Sequence, residues 1–315
     1  MRDLIALKDL PPPWLQDALH DFEGNFTYPL GSSTFSIEHG KDYGRFFRSL
    51  GEACTFVAAE SGVVSGAISL SIREIISPDE RVLKAAYICD IKLREEARAG
   101  RLLLSLSRLA LDWGKERASV AYGIVMDGTA VTPLSYSGRL GIPAFKPVAK
   151  IAVLRLEALA CMADEKTQAV AKESQARAVF SQLSPGFFAT PLAFAGQRSQ
   201  MQPTWLALPD GSACGCLEDT RRAKRLVDNR GEEMLSAHLG SLDYSDTTSG
   251  AHLIRQAASL AKNRGYPALF LAVPLADSPT LCAALKEFSI NVATATVFAC
   301  GITAGDDWLV NSSEI

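Results

Sequence analysis

The sequence predicts an α/β (α+β) chain of two related halves, each a mixed, mostly antiparallel sheet flanked by helices. Three observations carry that expectation. At 315 residues the chain exceeds the size of one ordinary core, so two domains of roughly 150 residues are expected. Each half opens with apolar strand segments and closes with a strand–helix–strand unit, an order that builds a mixed sheet. The second half also overlays the first at an offset of 147 residues (255 minus 108). Arg108 then falls on Arg255, Ala110 on Ala257, Lys115 on Lys262, Arg117 on Arg264 and Ala121 on Ala268. Both copies read as a helix ending in Lys-x-Arg ahead of a buried strand, the mark of a duplicated unit.

The individual elements follow from local pattern. Residues 54–60 (CTFVAAE) and 63–75 (VVSGAISLSIREI) are strands, and Ser61-Gly62 between them is a hairpin turn signal. A further strand covers 82–93 (VLKAAYICDIKL). Leu102, Leu106, Leu109, Ala110 and Trp113 recur at helical spacing over 101–117, and strands at 119–126 and 148–156 follow. Residues 157–182 are rich in Ala, Gln, Glu and Lys and contain neither Gly nor Pro, so they read as a connecting helix. The chain therefore divides into a first domain (1–157), a linker helix (158–184) and a second domain (185–315). In the second domain, strands are expected at 204–208, 212–218, 234–243, 267–273 and 292–302, with helices at 248–264 and 278–288.

Composition narrows the function. Apolar residues make up 48% and charged residues 21%, which is globular. A net charge of −3 gives no electrostatic reason to expect nucleic acid. The basic run Arg221-Arg222-Ala223-Lys224-Arg225 follows Glu218 and Asp219 and reads as a solvated face. No stretch reaches the roughly 18 apolar residues of a membrane span, and the N-terminal "MRDLIALKDLPPPW" lacks a secretory pattern. Seven cysteines scattered in apolar runs read as reduced, buried thiols of a cytoplasmic protein. Cys214 and Cys216 have no second pair or nearby His, and the four histidines share no ligand spacing, so no metal is expected.

The most informative loop follows the strand at 82–93. It gathers Arg94, Glu95, Glu96, Arg98 and Arg101 around Gly100, where a helix begins. A strand entering a helix N-terminus offers unpaired N–H groups and the positive end of a helix dipole, which suits a phosphate. Arg98 and Arg101 would add charge-assisted contacts, and Gly100 permits close backbone approach. The plainer reading is a charged surface turn.

The succession of hairpin, strand with charged loop, long helix, strand, short helix and final strand resembles the GNAT superfamily of N-acyltransferases. Its signature there is Arg/Gln-x-x-Gly-x-Gly/Ala, with a Val about five positions earlier. Here Leu93 stands at the Val position and Arg98 at the Arg/Gln position, while Arg101 and Leu103 replace the two small residues. A slip of one residue brings in Gly100 and Leu102 and loses Arg98. The matching loop of the second half, "SLDYSDTTSGAHL" (241–253), has Thr247 at the Gly100 position and no arginine, and Thr247, Thr248 or Ser249 reads as an N-cap. Tandem members of the superfamily likewise pair an active domain with a degenerate one.

The resemblance implies acetyl-CoA or another acyl-CoA as co-substrate and a small-molecule amine as acceptor, with no nucleic-acid or membrane partner. Its pyrophosphate would lie on backbone N–H groups of Arg98, Ala99, Gly100, Arg101, Leu102 and Leu103, and its pantetheine amides on the strand edge Ile91, Lys92 and Leu93. Acyl transfer to an amine needs a base for the ammonium and an acid for the departing thiolate. The resemblance puts Asp90 in the first role and Tyr136, in "TPLSYSGRLGIPAF", in the second. Asp90 also reads as a carboxylate paired with Lys92 or an arginine. In "HGKDYGRFFRSLG" (39–51), His39, Asp42, Tyr43 and Arg45 are candidates to touch substrate, although a helix pinned by buried Phe46 and Phe47 explains the stretch as well. Two alternatives stand beside this reading. One is a non-catalytic ligand-binding or scaffold protein that keeps the fold. The other is a Fem-like aminoacyl transferase, which the net charge disfavours.

Overall fold

Ser61 and Gly62 both take positive φ (51° and 80°), the twist that a two-residue hairpin needs, and here they join the two strands expected from the pattern. The computed structural model describes residues 3–30, 33–98, 101–157, 169–184, 186–189, 195–302 and 308–315. Edge strand β1 (Asp3–Leu7), helix α1 (Pro13–Glu23), the hairpin β2 (Tyr28–Leu30) and β3 (Ser33–Glu38), and the single turn α2 (Arg45–Arg48) come first. The hairpin at Ser61-Gly62 joins β4 (Glu52–Glu60) to β5 (Val63–Ile76). Then follow β6 (Val82–Leu93), α3 (Leu102–Lys115), β7 (Val120–Met126), α4 (Pro133–Tyr136) and β8 (Lys146–Glu157).

The linker expectation is described only in part. Residues 158–168 lie outside the described residues, Val170 bridges in extended form to Leu206, and α5 spans Glu173–Leu183. After β9 (Phe187–Ala189) and α6 (Ala195–Arg198) come β10 (Thr204–Ala207), β11 (Ala213–Glu218), β12 (Arg225–Asp228) and β13 (Ala237–Tyr244). The chain continues through α7 (Thr247–Asn263), β14 (Leu269–Pro274), α8 (Ser278–Ala284), β15 (Ser289–Cys300) and β16 (Trp308–Leu309).

One large sheet runs β1-β4-β5-β6-β7-β15-β8-β14-β13-β11-β10, and a small sheet β12-β3-β2 lies apart from it. Pairing in the large sheet is mostly antiparallel, as expected. The exceptions on this path are β6 with β7 and β13 with β14, each a parallel pair joined by a helix. The last strands are interleaved: β15 lies between β7 and β8, and β8 pairs with β14. Residues 151–156 of β8 (KPVAKIAVLRLE) are thus flanked by strands on both edges, which suits their nearly continuous burial.

Both faces of the sheet are covered. Under α3, Leu102, Leu106 and Ala110 pack on Ile68, Leu70 and Ala86. On the opposite face, α1 and α2 bury Leu15, Leu19, Phe22, Phe46 and Phe47. A third cluster joins α7 to β13 and β14 through Leu253, Ile254, Leu239 and Leu271.

Candidate functional site

The site begins where two parallel strands part. β6 and β7 pair only from Ala85↔Val120 to Ile88↔Gly123. Beyond that point β7 stays paired with β15 on its other edge, while β6 continues from Cys89 to Leu93 with no described strand on that side. A β-bulge marks the parting. Asp90 lies opposite Ser69 and Ile88 opposite Leu70, so Cys89 has no partner of its own on β5. The backbone groups that Cys89–Leu93 directs to its free edge have no strand partner among the described residues, while its other edge pairs with β5.

That edge leads to the helix terminus singled out from sequence. Leu93 ends β6, and a 3-10 turn at Glu95–Ala97 carries the chain round to α3. Arg94 is spent on structure: its Nε donates to Val64 O at 2.8 Å and its guanidinium pairs with Asp21. Arg98 and Arg101 are exposed and make no ion pair among the described residues. Ala99 and Gly100 lie outside the described residues. Arg101 is the N-cap of α3 and provides no side-chain cap, so among the described residues no N-cap side chain accepts from the N–H groups that open the helix. Leu102 is buried, and Leu103 is half-buried against the same core.

Ile91 and Leu93 turn their side chains toward α3. There, a cavity of about 240 Å³ lies between α3, the parted strands and the 136–145 segment. Tyr136 lines it. Its phenol is half-buried, has no hydrogen-bond partner among the described residues, and is pushed up to about 12 by burial.

Asp90 and Lys92 point to the other face, so the structure does not bring Asp90 and Tyr136 together on one side. Asp90 Oδ2 accepts from Tyr43 Oη at 2.7 Å and lies 3.0 Å from Lys92 Nζ. The pairing with Lys92 was the plainer sequence reading; Tyr43, distant in sequence, was not foreseen as its second partner. Lys92 is 3% exposed, and Glu23 lies 3.6 Å from its ammonium. Burial alone would lower the Lys92 pKa, but Asp90, Tyr28 and Glu23 together raise it. Glu23 in turn accepts the backbone N–H of His39 at 3.0 Å and contacts its ring. Burial pushes Glu23 up, yet His39 and Lys92 outweigh it and hold it below the usual carboxylate range. His39 also packs at a tilt against Tyr43, Phe46 and Phe47, the packing that pins α2.

The second parallel pair parts in the same way. β13 and β14 pair from Ala237↔Leu269 to Leu239↔Leu271, and β13 carries a bulge between Gly240 and Asp243. Here the chain itself fills the place. Segment 308–315 packs against both strands, Asn311 Oδ1 accepts the N–H of Ser241 at 2.6 Å, and Ser312 Oγ meets His238 Nδ1 at 3.1 Å. The helix start is also closed, although not by a residue expected from sequence. The N-cap is Asp246, one position ahead of Thr247, and its carboxylate accepts from Thr248 N and Ser249 N.

The filling segment is clamped by buried charge. Glu314 accepts from Arg73 at 2.7 and 3.1 Å and from Arg198 at 3.3 Å, while Arg198 also pairs with Glu218 at 2.6 Å. Lys224, expected on a solvated face, is instead 3% exposed. Its Nζ donates to Ile315 O at 2.5 Å and lies 4.2 Å from the Phe46 ring centre. Burial, with Arg198 beside it, pushes its pKa down to about 7. Cys214 and Cys216 are plain buried thiols raised by burial, and no cluster of metal-ligating residues occurs among the described residues. No helix among them is long and apolar enough to cross a membrane.

No protein-family model matches the sequence, and no curated protein matches it. Solved structures do. Saccharomyces cerevisiae N-myristoyltransferase with bound myristoyl-CoA superposes with a TM-score of 0.65 at 10% identity, over 99% of this chain and 87% of that one. The same yeast enzyme with myristoyl-CoA and inhibitors gives 0.67 at 10% identity, over 100% and 83%. A Pyrococcus horikoshii protein provisionally described as an acetyltransferase gives 0.62 at 10% identity, over 99% and 95%. The described chain has the GNAT-like fold of these structures.

Proposed function

We propose that the chain is an acyl-CoA-dependent N-acyltransferase whose co-substrate lies in the parting of β6 and β7. The observation that carries this reading is the contrast between the two partings. The first has an unpaired strand edge leading to a helix start without a side-chain cap; the second is filled by segment 308–315 and capped by Asp246. Pantetheine is an extended chain with two amides, which suits the edge Ile91–Leu93. Pyrophosphate suits the N–H groups opening α3, with Arg98 and Arg101 beside them. The bound myristoyl-CoA of the yeast neighbour supports a thioester of this kind.

On this reading the chain is a tandem of GNAT-like units, 1–157 and 185–315, joined through 158–184. The second unit completes the sheet by inserting β15 and does not bind a second cofactor. The acceptor is a small-molecule amine approaching the face of Asp90, whose carboxylate retains lone pairs beyond those used by Tyr43 and Lys92. The amine nitrogen attacks the thioester carbonyl and gives up a proton to the Asp90 carboxylate. The C–S bond breaks, and the thiolate takes its proton from Tyr136 on the α3 side. The product is an amide and free CoA.

The test is the melting temperature of the wild type and of an Arg98→Ala/Arg101→Ala variant, each with CoA and acetyl-CoA. A ligand at about 100 times its dissociation constant adds roughly 2.7 kcal/mol. The expected result is a clear rise for the wild type that the double variant loses. A cooperatively melting protein that no CoA species stabilises would overturn the reading.

A further inference from the structure

The cavity beside the parted strands has a size and shape of its own, and they deepen the proposed reading, on which this inference rests. It is elongated. The α3 residues that line it run from Ser107 to Lys115, about 12 Å of helix at roughly 1.5 Å per residue. It lies at the far end of the path from the phosphate side. Leu102, at the start of α3, is followed by Ile91 on the strand edge and then by Ala86 and Ile88 in the cavity wall. A thioester placed at the bulge would therefore direct its acyl group into this space. The walls are mostly aliphatic and aromatic carbon, as at Ile68, Leu70, Leu111 and Phe145.

The geometry points to an unbranched medium-chain acyl group, of roughly eight to ten carbons, as the group this site accepts. A cavity of roughly 150 Å³ holds benzene, and a water-sized group takes roughly 30 Å³. About 240 Å³ therefore holds more than an acetyl group and less than a fourteen-carbon chain. Each methylene buried there tightens binding about fourfold. An octanoyl chain carries six more than acetyl, and even with half of that gain lost to ordering the chain it binds on the order of a hundredfold tighter.

The experiment is a calorimetric series on the full chain with CoA, acetyl-CoA, octanoyl-CoA, myristoyl-CoA and benzoyl-CoA. Ala110→Leu and Ala121→Leu variants, which fill the cavity from opposite walls, are measured alongside. The expected result is that octanoyl-CoA binds on the order of a hundredfold tighter than acetyl-CoA, and that both myristoyl-CoA and benzoyl-CoA fall short of it. Either filling variant should bring octanoyl-CoA to the acetyl-CoA level while CoA itself binds as before. The chain-length series on the wild type stands even if a filled variant misfolds. Equal affinities for acetyl- and octanoyl-CoA, or a preference for benzoyl- or myristoyl-CoA, would overturn the medium-chain assignment and leave the acyltransferase reading intact. Failure of every CoA species to bind would overturn both.

Discussion

Replacing Glu314 by Gln tests how strongly segment 308–315 is held in the second parting. The carboxylate sits between Arg73 and Arg198 and is 5% exposed. Burial pushes its pKa up, but the two guanidinium groups more than offset this and hold it at about 2, against 4.5 unperturbed. A difference of that size is worth about 3 kcal/mol at neutral pH. The same order, 3–5 kcal/mol, is typical when one partner of a buried ion pair is removed. The sign follows from the lowered pKa. The stabilisation is complete above about pH 4.5 and fades as pH falls toward 2. Urea unfolding of wild type and Glu314→Gln should therefore differ by about 3 kcal/mol at pH 7 and by only about 1 at pH 3. A deficit that is equally large at both pH values would refute the ionic origin. A deficit under about 1 kcal/mol at pH 7 would show that the clamp does not hold the segment.

Three further outcomes follow from the same geometry. Tyr136→Phe should leave stability within about 0.5 kcal/mol, because the hydroxyl has no partner to lose, yet reduce turnover by about a hundredfold or more. Steady-state rates beside urea melts separate the two effects. Lys224, with a folded pKa of about 7 against 10.5, binds its proton more readily when unfolded. Wild-type stability should thus rise from about pH 7 toward pH 10, and Lys224→Met should flatten that rise in unfolding curves. Arg101→Asp would place at α3 the kind of cap that Asp246 gives α7. Its melting temperature should match or exceed that of the wild type while CoA affinity falls at least tenfold, an outcome that general loss of folding could not produce.

Sequence pattern revealed the elements more readily than their partners. The hairpin at Ser61-Gly62, α3, β7, α7 and β14 stand close to their expected places because each is set by local periodicity and turn chemistry. The interleaving of β15 between β7 and β8 could not be read, since any apolar strand satisfies the same pattern whichever strand it joins. Contacts within a few residues were legible: Asp90 and Lys92, two apart on one strand face, do pair. Partners distant in sequence were not, as with Glu23 and His39, or Arg73 and Glu314, which are 241 residues apart. Lys224 was misread because a basic run looks solvated until a long-range fold buries one member of it. The N-cap at Asp246 was missed by one residue, within the usual uncertainty of helix ends.

Each half holds one parallel strand pair joined by a helix, and the two pairs differ in the polar groups that surround them. In each, a parallel strand pair parts at a bulge and leaves backbone groups that the sheet cannot satisfy. Such groups must find partners, because leaving them buried and unpaired costs on the order of 1–3 kcal/mol apiece. The second half resolves this internally, with Asn311 on Ser241 and Asp246 on the start of α7. Its residues are therefore committed to stability. The first half has Arg101 at the N-cap position that Asp246 takes in the second, and packs no described strand along Cys89–Leu93. An unsatisfied strand edge, a cationic helix start and a cavity in line with both are costly to maintain in the absence of a ligand. That they coincide in one half, while the other half has internal partners for the N–H groups of Ser241, Thr248 and Ser249, is what supports the proposed placement of the ligand there.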